Sequence, residues 1–432
     1  MSAQRKVLIV AYYWPPAGGP GVQRWLKFAT YLREFGYEPI LYVPDNPTYP
    51  IIDSGLLDEV PHDIRVVKKA ISEPYKFAAW FSLKRTRKIS SGLIPKKQSL
   101  KDKILLWIRG NLFIPDARVL WVKPSVEFLE QFIQEEQIKL VITTGPPHSL
   151  HLIGAKLKER KPNVTWMADF RDPWTTIGYH KDLLLTSWAA NKHKKLEKYV
   201  LDTADHLLVT SSGTKTEFQA ATKTPISVIT NGFDSYEIQR IPLDEKFSMA
   251  HIGSFLADRN PEILWQVLAE LIRENAAFEK AFELKIIGAV SPIVVESIKN
   301  NNLADYVTLL GYLPHLEAVK QQRASQVLLL IEIDRPESKV IIPGKLFEYL
   351  AAQRPILAIG PEGADFRSIL EDASAGRFFN YSNKQALKEY IQLLFSDFQA
   401  GKLFVETKDI EQFSRKSLTK KLAALLDTLW ES

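Results

Sequence analysis

The sequence predicts an α/β protein of two successive domains, each a Rossmann-like, doubly wound parallel sheet. Three observations predict it. Short apolar runs alternate with helical periodicities along most of the 432 residues, the pattern that gives parallel strands joined by crossover helices. The pattern restarts near residue 247 after a polar stretch. A chain of 432 residues also exceeds what one hydrophobic core serves.

The first apolar run, 6–11, is closed by Tyr12-Tyr-Trp-Pro-Pro16 and followed by Gly18-Gly19-Pro20-Gly21 and a helical pattern over 22–35. Gly36 ends that helix and 39–43 reads as a second strand, so the chain opens on a βαβ unit. Further strands are expected at 64–67, 139–143, 164–168, 206–210 and 226–230, with helices at 125–136 and 150–159 among them. Asn231-Gly-Phe-Asp-Ser235 supplies turn chemistry, and the polar stretch to Lys246 reads as a linker. The second series runs through a strand at 247–252, a turn at Gly253-Ser254, a helix at 261–275 and strands at 284–287, 306–310, 327–331 and 355–359. The expected domains are 1–240, carrying an insertion over about 75–115, and 241–411. Ligands of open α/β sheets bind beyond the carboxyl ends of the strands, so two such sheets facing each other are expected to share a cleft.

Composition narrows the function classes. Cysteine is absent, so neither disulfides nor thiolate metal sites contribute, and a reducing, cytoplasmic compartment is the expectation. The N-terminus runs into its first strand without the features of a signal peptide, and no window approaches the roughly 20 apolar residues needed to cross a bilayer. The formal charge of +6 is unevenly spread: ten Lys or Arg (76, 84, 85, 87, 88, 96, 97, 101, 103, 109) and one acid, Asp102, fall between Lys76 and Arg109. Bulky apolar residues such as Trp80, Phe81, Leu106 and Trp107 are interleaved with them, the mixture of an interfacial segment. An anionic membrane surface is the expected partner, with peripheral attachment to the inner face of the cytoplasmic membrane. Nucleic acid is not, because no recognisable nucleic-acid module accompanies the cations.

Five stretches carry candidate chemistry. Gly18 and Gly19 stand between strand and helix, where glycine either makes a tight turn or lets a ligand approach the backbone; the fingerprint G-x-G-x-x-G is not met. Gly253 and Ser254 repeat that grammar in the second domain, with Arg259 just ahead of a helix, suited to a diphosphate or to solvent. Pro343-Gly344 suits a helix start beside Lys345, with Glu348 one turn later; the pair serves a phosphate and two ribose hydroxyls, or a simple helix salt bridge. Asp169, Arg171, Asp172 and Trp174 end an apolar strand, and Asp169 is open between a base, a partner of Arg171 and a hydroxyl binder. His148 ends the preceding strand on the same rim. No metal is expected, since no H-E-x-x-H, spaced cysteines or Asp-x-Asp pair occurs.

Taken in order, these stretches resemble the retaining GT-B glycosyltransferases grouped as family four, over nearly the whole chain. The residues carrying the resemblance are Tyr13-Trp-Pro-Pro with Gly18-Gly19, Asp169-Phe-Arg-Asp-Pro-Trp174, Asn231-Gly-Phe-Asp234, Ile252-Gly-Ser254 with Arg259, Gly311-Tyr-Leu-Pro-His315 and Gly344-Lys-Leu-Phe-Glu-Tyr-Leu350. The resemblance implies an N-terminal acceptor domain, a C-terminal nucleotide-sugar domain and a last helix, within 412–432, that crosses back to the first. It assigns Gly253, Ser254 and Arg259 to the diphosphate, Lys345 to phosphate or sugar and Glu348 to ribose. Transfer with retention to a lipid-linked or polysaccharide hydroxyl is the implied reaction, with the nucleotide sugar as co-substrate and neither cofactor nor metal. On this reading the catalytic candidates are Asp169, Arg171, Asp172, Arg259 and Lys345, the donor candidates Gly253, Ser254, Arg259, Pro343, Gly344, Lys345 and Glu348, and the acceptor candidates Gly18, Gly19, His148, Asp169 and Trp174. Two positions depart from the family pattern: Val340 stands where members often carry a first glutamate, and Ser254 where many have arginine. A nucleotide-sugar 2-epimerase and a non-catalytic sugar-nucleotide or glycolipid binder are the rival readings.

Overall fold

The computed structural model describes residues 5–73, 100–234 and 241–431. The chain divides into two compact units, Met1–Asn231 with Arg415–Ser432, and Gly232–Ser414. The first boundary therefore falls at Asn231, nine residues before the expected 240, at the start of the turn sequence. Most of the basic insertion, 75–99, and residues 235–240 of the expected linker lie outside the described residues.

The first unit is built on seven parallel strands: β1 (Arg5–Val10), β2 (Tyr37–Pro44), β3 (Arg65–Lys69), β4 (Leu140–Gly145), β5 (Thr165–Phe170), β6 (His206–Val209) and β7 (Ile226–Val228). Their order is β3-β2-β1-β4-β5-β6-β7, so the winding reverses between β1 and β4. Among the described residues its helices are α1 (Pro20–Leu32), α2 (Leu100–Leu112), α3 (Val119–Glu135), α4 (Ser149–Arg160), α5 (Ser187–Thr203) and α6 (Ser212–Gln219). The apolar runs are needed because the central strands are buried on both faces: β4 is buried throughout, with Ile142 in one core and Val141 in the other. Helix α3 starts at Val119, six residues before the expected 125, and runs through Pro124. Buried Trp121, stacked on Tyr42 at 5.0 Å, and buried Val122 offset the backbone hydrogen bond that proline forgoes.

The second unit holds β8 (Phe247–Ile252), β9 (Phe282–Ile287), β10 (Val307–Gly311), β11 (Val327–Ile331), β12 (Ile356–Ile359) and β13 (Gly376–Phe379) in the order β10-β9-β8-β11-β12-β13. Here the winding reverses between β8 and β11. Its helices are α7 (Glu262–Glu274), α8 (Ala276–Ala281), α9 (Pro292–Asn300), α10 (His315–Ala324), α11 (Lys345–Ala352), α12 (Phe366–Asp372) and α13 (Lys384–Gln399). Strand β13 has no counterpart in the sequence reading. It is four residues long and opens on Gly376, and pairing with β12 fixes its conformation, which a local pattern does not reveal. The last helix, α14 (Arg415–Glu431), belongs to the first unit, where Leu418, Leu422 and Leu426 pack with Val22, Trp25 and Leu26 of α1.

Candidate functional site

In the second unit the candidate residues gather where the winding reverses. Strand β8 is buried along its length and runs into Gly253, whose φ of 111° favours a residue without a side chain. Ser254 follows in an exposed position, and Arg259 closes a 3-10 turn over Ala257–Arg259. Beside β8, strand β11 is followed directly by Glu332, 1% exposed, and its carboxylate takes a forked contact from Arg259: Nη2 donates at 3.2 and 3.1 Å and Nε at 3.3 Å. The Ile333 amide donates to the same carboxylate at 2.9 Å. Arg259 is thereby held in one orientation with only its outer edge in solvent.

Helix α11 brings the second cation. Pro343 is buried and Gly344 takes the cap position, so the helix begins at Lys345. The Lys345 ammonium lies 3.2 Å from His251 Nε2, and 3.8 Å from where a side chain on Gly253 would begin. Burial, reinforced by the Arg259 charge and opposed by Glu332 and Glu348, lowers the Lys345 amine to about 7. Glu348, 20% exposed, accepts from Gln322 Nε2 at 2.8 Å and lies 3.9 Å from His315 Nε2. Gly253, Arg259, Lys345 and Glu348 are thus neighbours through Glu332 and His251, two residues absent from the sequence reading. Glu332 carried a usable signal, since it directly follows the most apolar strand, whereas His251 sits inside a strand and carried none.

In the first unit the candidates cluster at the carboxyl ends of β1, β4 and β5, beside the other reversal. Gly18 leaves no room for a side chain: a Cβ there would come within 2.9 Å of Ile51 Cγ2, and its amide donates to Ile51 O at 3.1 Å. Gly19, φ 111°, faces open space. The Arg171 guanidinium occupies the place where Gly21 would carry a Cβ and donates to Pro146 O. The carboxyl of Asp172 is pushed up, by burial first, against the pull of Arg171.

Of the roles left open for Asp169, its surroundings match an ion-pair partner, with Arg24 in the place expected of Arg171. Asp169 is wholly buried and accepts from Trp25 Nε1 at 2.7 Å, Thr144 Oγ1 at 2.8 Å and Arg24 Nη2 at 3.2 Å. It anchors α1 to the sheet, while Arg24 reaches the carbonyls of Ile229 at 2.9 Å and Thr230 at 2.6 Å. The Trp174 ring is buried, donates to His193 Nδ1 at 3.1 Å and stacks on His148 at 5.0 Å and 3°. His148 is itself buried, and burial foremost holds its pKa far below the usual imidazole range, so the ring is neutral.

Of the expected insertion, α2 is described. It buries Leu106 against Leu183 and Leu185, while Ile104, Trp107 and Leu112 on its outer side are exposed. Among the described residues no helix is long and apolar enough to cross a membrane, and no group of His, Asp or Glu is arranged to hold a metal ion.

No protein-family model and no curated protein sequence matches the chain. Solved structures do, at low identity. A sucrose-phosphate synthase from Thermosynechococcus elongatus superposes with a TM-score of 0.64 at 15% identity, covering 99% of this chain and 100% of that one. Anabaena HepE in complex with UDP and glucose gives 0.62 at 14%, covering 98% and 100%. A protein assigned as a UDP-N-acetylglucosamine 2-epimerase, from Listeria monocytogenes, gives 0.57 at 11%, covering 99% and 97%. The chain has the GT-B fold, two Rossmann-like domains in succession.

Proposed function

We propose that the chain is a retaining, metal-independent glycosyltransferase that moves a sugar from a nucleotide-sugar donor to a hydroxyl of a lipid-linked or polysaccharide acceptor. The observation that carries this reading is the gathering of Lys345, Arg259 and the Gly253 turn where the second sheet reverses its winding, with Glu348 one helical turn from Lys345. A departing nucleoside diphosphate accumulates negative charge, and cations fixed before the reaction stabilise it without reorganising. Arg259 is fixed by Glu332, and Lys345 stands at a helix start. Glu348 is the group for the ribose hydroxyls. The leaving diphosphate itself takes the proton of the acceptor hydroxyl, which dispenses with an enzyme nucleophile and agrees with Asp169 being enclosed. Arg171, whose guanidinium lies against Gly21, and Asp172 belong on this reading to the acceptor side. The HepE complex with UDP and glucose supports a nucleotide-sugar donor.

Peripheral attachment to an anionic membrane, on its cytoplasmic face, is part of the proposal. The exposed Ile104, Trp107 and Leu112 of α2 and the ten cations of 76–109 support it.

The deciding experiment is a calorimetric titration with a panel of nucleotide sugars, followed by an assay of nucleoside diphosphate release with and without lipid-linked acceptors. Release that depends on an acceptor is expected. If no nucleotide sugar binds, the proposal fails. The likeness to the Listeria protein favours a 2-epimerase as second reading, and the same assay separates the two, because an epimerase turns over its nucleotide sugar with no acceptor present.

A further inference from the structure

His251 has no part in the reaction as proposed, yet it is buried in the middle of the donor-side cluster. It is the fifth residue of β8, without solvent exposure, its ring stacked on Phe255 with centroids 4.1 Å apart and planes at 27°. We propose that His251 is a positioning residue: its Nε2 accepts an N–H from Lys345 and holds that nitrogen over the Gly253 turn, so that an arriving diphosphate meets a lysine already in place. The inference rests on the reading of Lys345 as a phosphate-binding group.

The donor and acceptor roles follow from chemistry. Burial first, then the charges of Lys345 and Arg259, keep the His251 ring neutral, and a neutral imidazole has one lone pair. The ammonium form of lysine has donors only, so whenever Lys345 is charged Nε2 accepts in the 3.2 Å contact. A lysine side chain is otherwise free to swing. Here the strand supplies a fixed acceptor on one side, and Gly253, lacking a side chain, leaves the other side of Nζ open toward the turn. The charged and titratable groups facing Nζ are His251 from β8, Arg259 from the 3-10 turn, Glu332 directly after β11 and Glu348 from α11 itself. Desolvation and Arg259 favour the neutral amine, the two glutamates the ammonium, and the balance leaves Lys345 partly charged near neutral pH. An anion on the turn favours the ammonium. Above about pH 7.5 a nucleoside diphosphate is itself fully deprotonated, so proton uptake in that range reports on the protein.

The test is calorimetric titration of wild type, His251→Phe, His251→Gln and His251→Asn with UDP, GDP and ADP between about pH 7.5 and about pH 9. Two buffers of different ionisation enthalpy count the protons, and melting temperatures are recorded alongside. Wild type is expected to take up a fraction of a proton with whichever diphosphate binds, and Lys345→Met to take up none. Phenylalanine keeps the ring stack but offers no lone pair, and affinity is expected to fall about tenfold, or about 1.4 kcal/mol. Glutamine carries an acceptor oxygen of similar reach and is expected to stay within about threefold of wild type. Asparagine, one methylene shorter, behaves like phenylalanine and replaces it as the readout if phenylalanine does not fold. Equal affinity for wild type and phenylalanine, equal weakness of glutamine and asparagine, or proton uptake that persists in Lys345→Met would each overturn the positioning role. Failure of every diphosphate to bind wild type overturns the underlying reading of the site, and is distinct from those results.

Discussion

Glu332 fixes Arg259 by a fork of charge-assisted hydrogen bonds, and that single contact separates a placed cation from a solvated one. If the guanidinium stabilises a leaving diphosphate, Arg259→Ala should lower kcat by about ten- to a hundredfold, near 1.4 kcal/mol for each factor of ten. The substitution also leaves the Glu332 carboxylate buried without its hydrogen-bonded guanidinium, so the melting temperature should fall with it. Arg259→Lys separates the two effects: charge remains and the fork is lost. Turnover that stays at the wild-type level in Arg259→Ala with a good donor takes Arg259 out of the chemistry. At this scale the sequence named Lys345, Glu348 and Arg259 from their spacing around turns and helix starts. It did not tell Asp169 from a surface acid, because the donors that enclose it come from residues 24, 25 and 144.

The turns after β8 and β9 touch at the level of backbone. Gly288, φ 118°, lies so close to Gly253 that a Cβ on it would come within 2.5 Å of the Gly253 carbonyl oxygen, and its amide donates to Gly311 O at 2.6 Å. Gly288→Ala must therefore move the Gly253 turn. We expect a loss of about 1–3 kcal/mol in stability, from an unfavourable φ together with the clash, and weaker binding of the nucleotide donor. Gly401→Ala is the control, since Gly401 has φ 67° with open space around it: the melting temperature should drop with donor affinity unchanged. A Gly288→Ala protein that binds donor as wild type does would separate this turn from the site. The elements themselves were largely legible, because strands buried on both faces must be continuous apolar runs and their helices must be amphipathic. Strand β13 and the first turns of α3 were not, since pairing with β12 and the burial of Trp121 override weak or contrary local signals.

For the whole molecule, attachment to a membrane is a question of charge and exposed apolar surface together. Each cation near an anionic leaflet adds about 1 kcal/mol, a contribution that salt removes, while exposed Ile104 and Trp107 add a part that salt does not. Sedimentation with anionic vesicles should therefore carry the protein down at low salt and less of it at high salt, and Ile104→Glu with Trp107→Glu should weaken the interaction at both. Equal partition onto neutral and anionic vesicles would argue for a purely apolar contact and against the electrostatic role.

By itself the sequence determined that there are two doubly wound α/β units, where most strands lie, and which turns carry glycines, cations and acids, because periodicity, turn chemistry and the burial of apolar runs act over a few residues. Tertiary structure alone decided that Asp169 is an interior anchor, and that Glu332 and His251 hold Arg259 and Lys345. The physical reason is one of distance along the chain. Asp169 meets donors 145, 144 and 25 residues away, Glu332 is 73 residues from Arg259, and His251 is 94 from Lys345. Burial and pairing at such separations are fixed only when the sheets close.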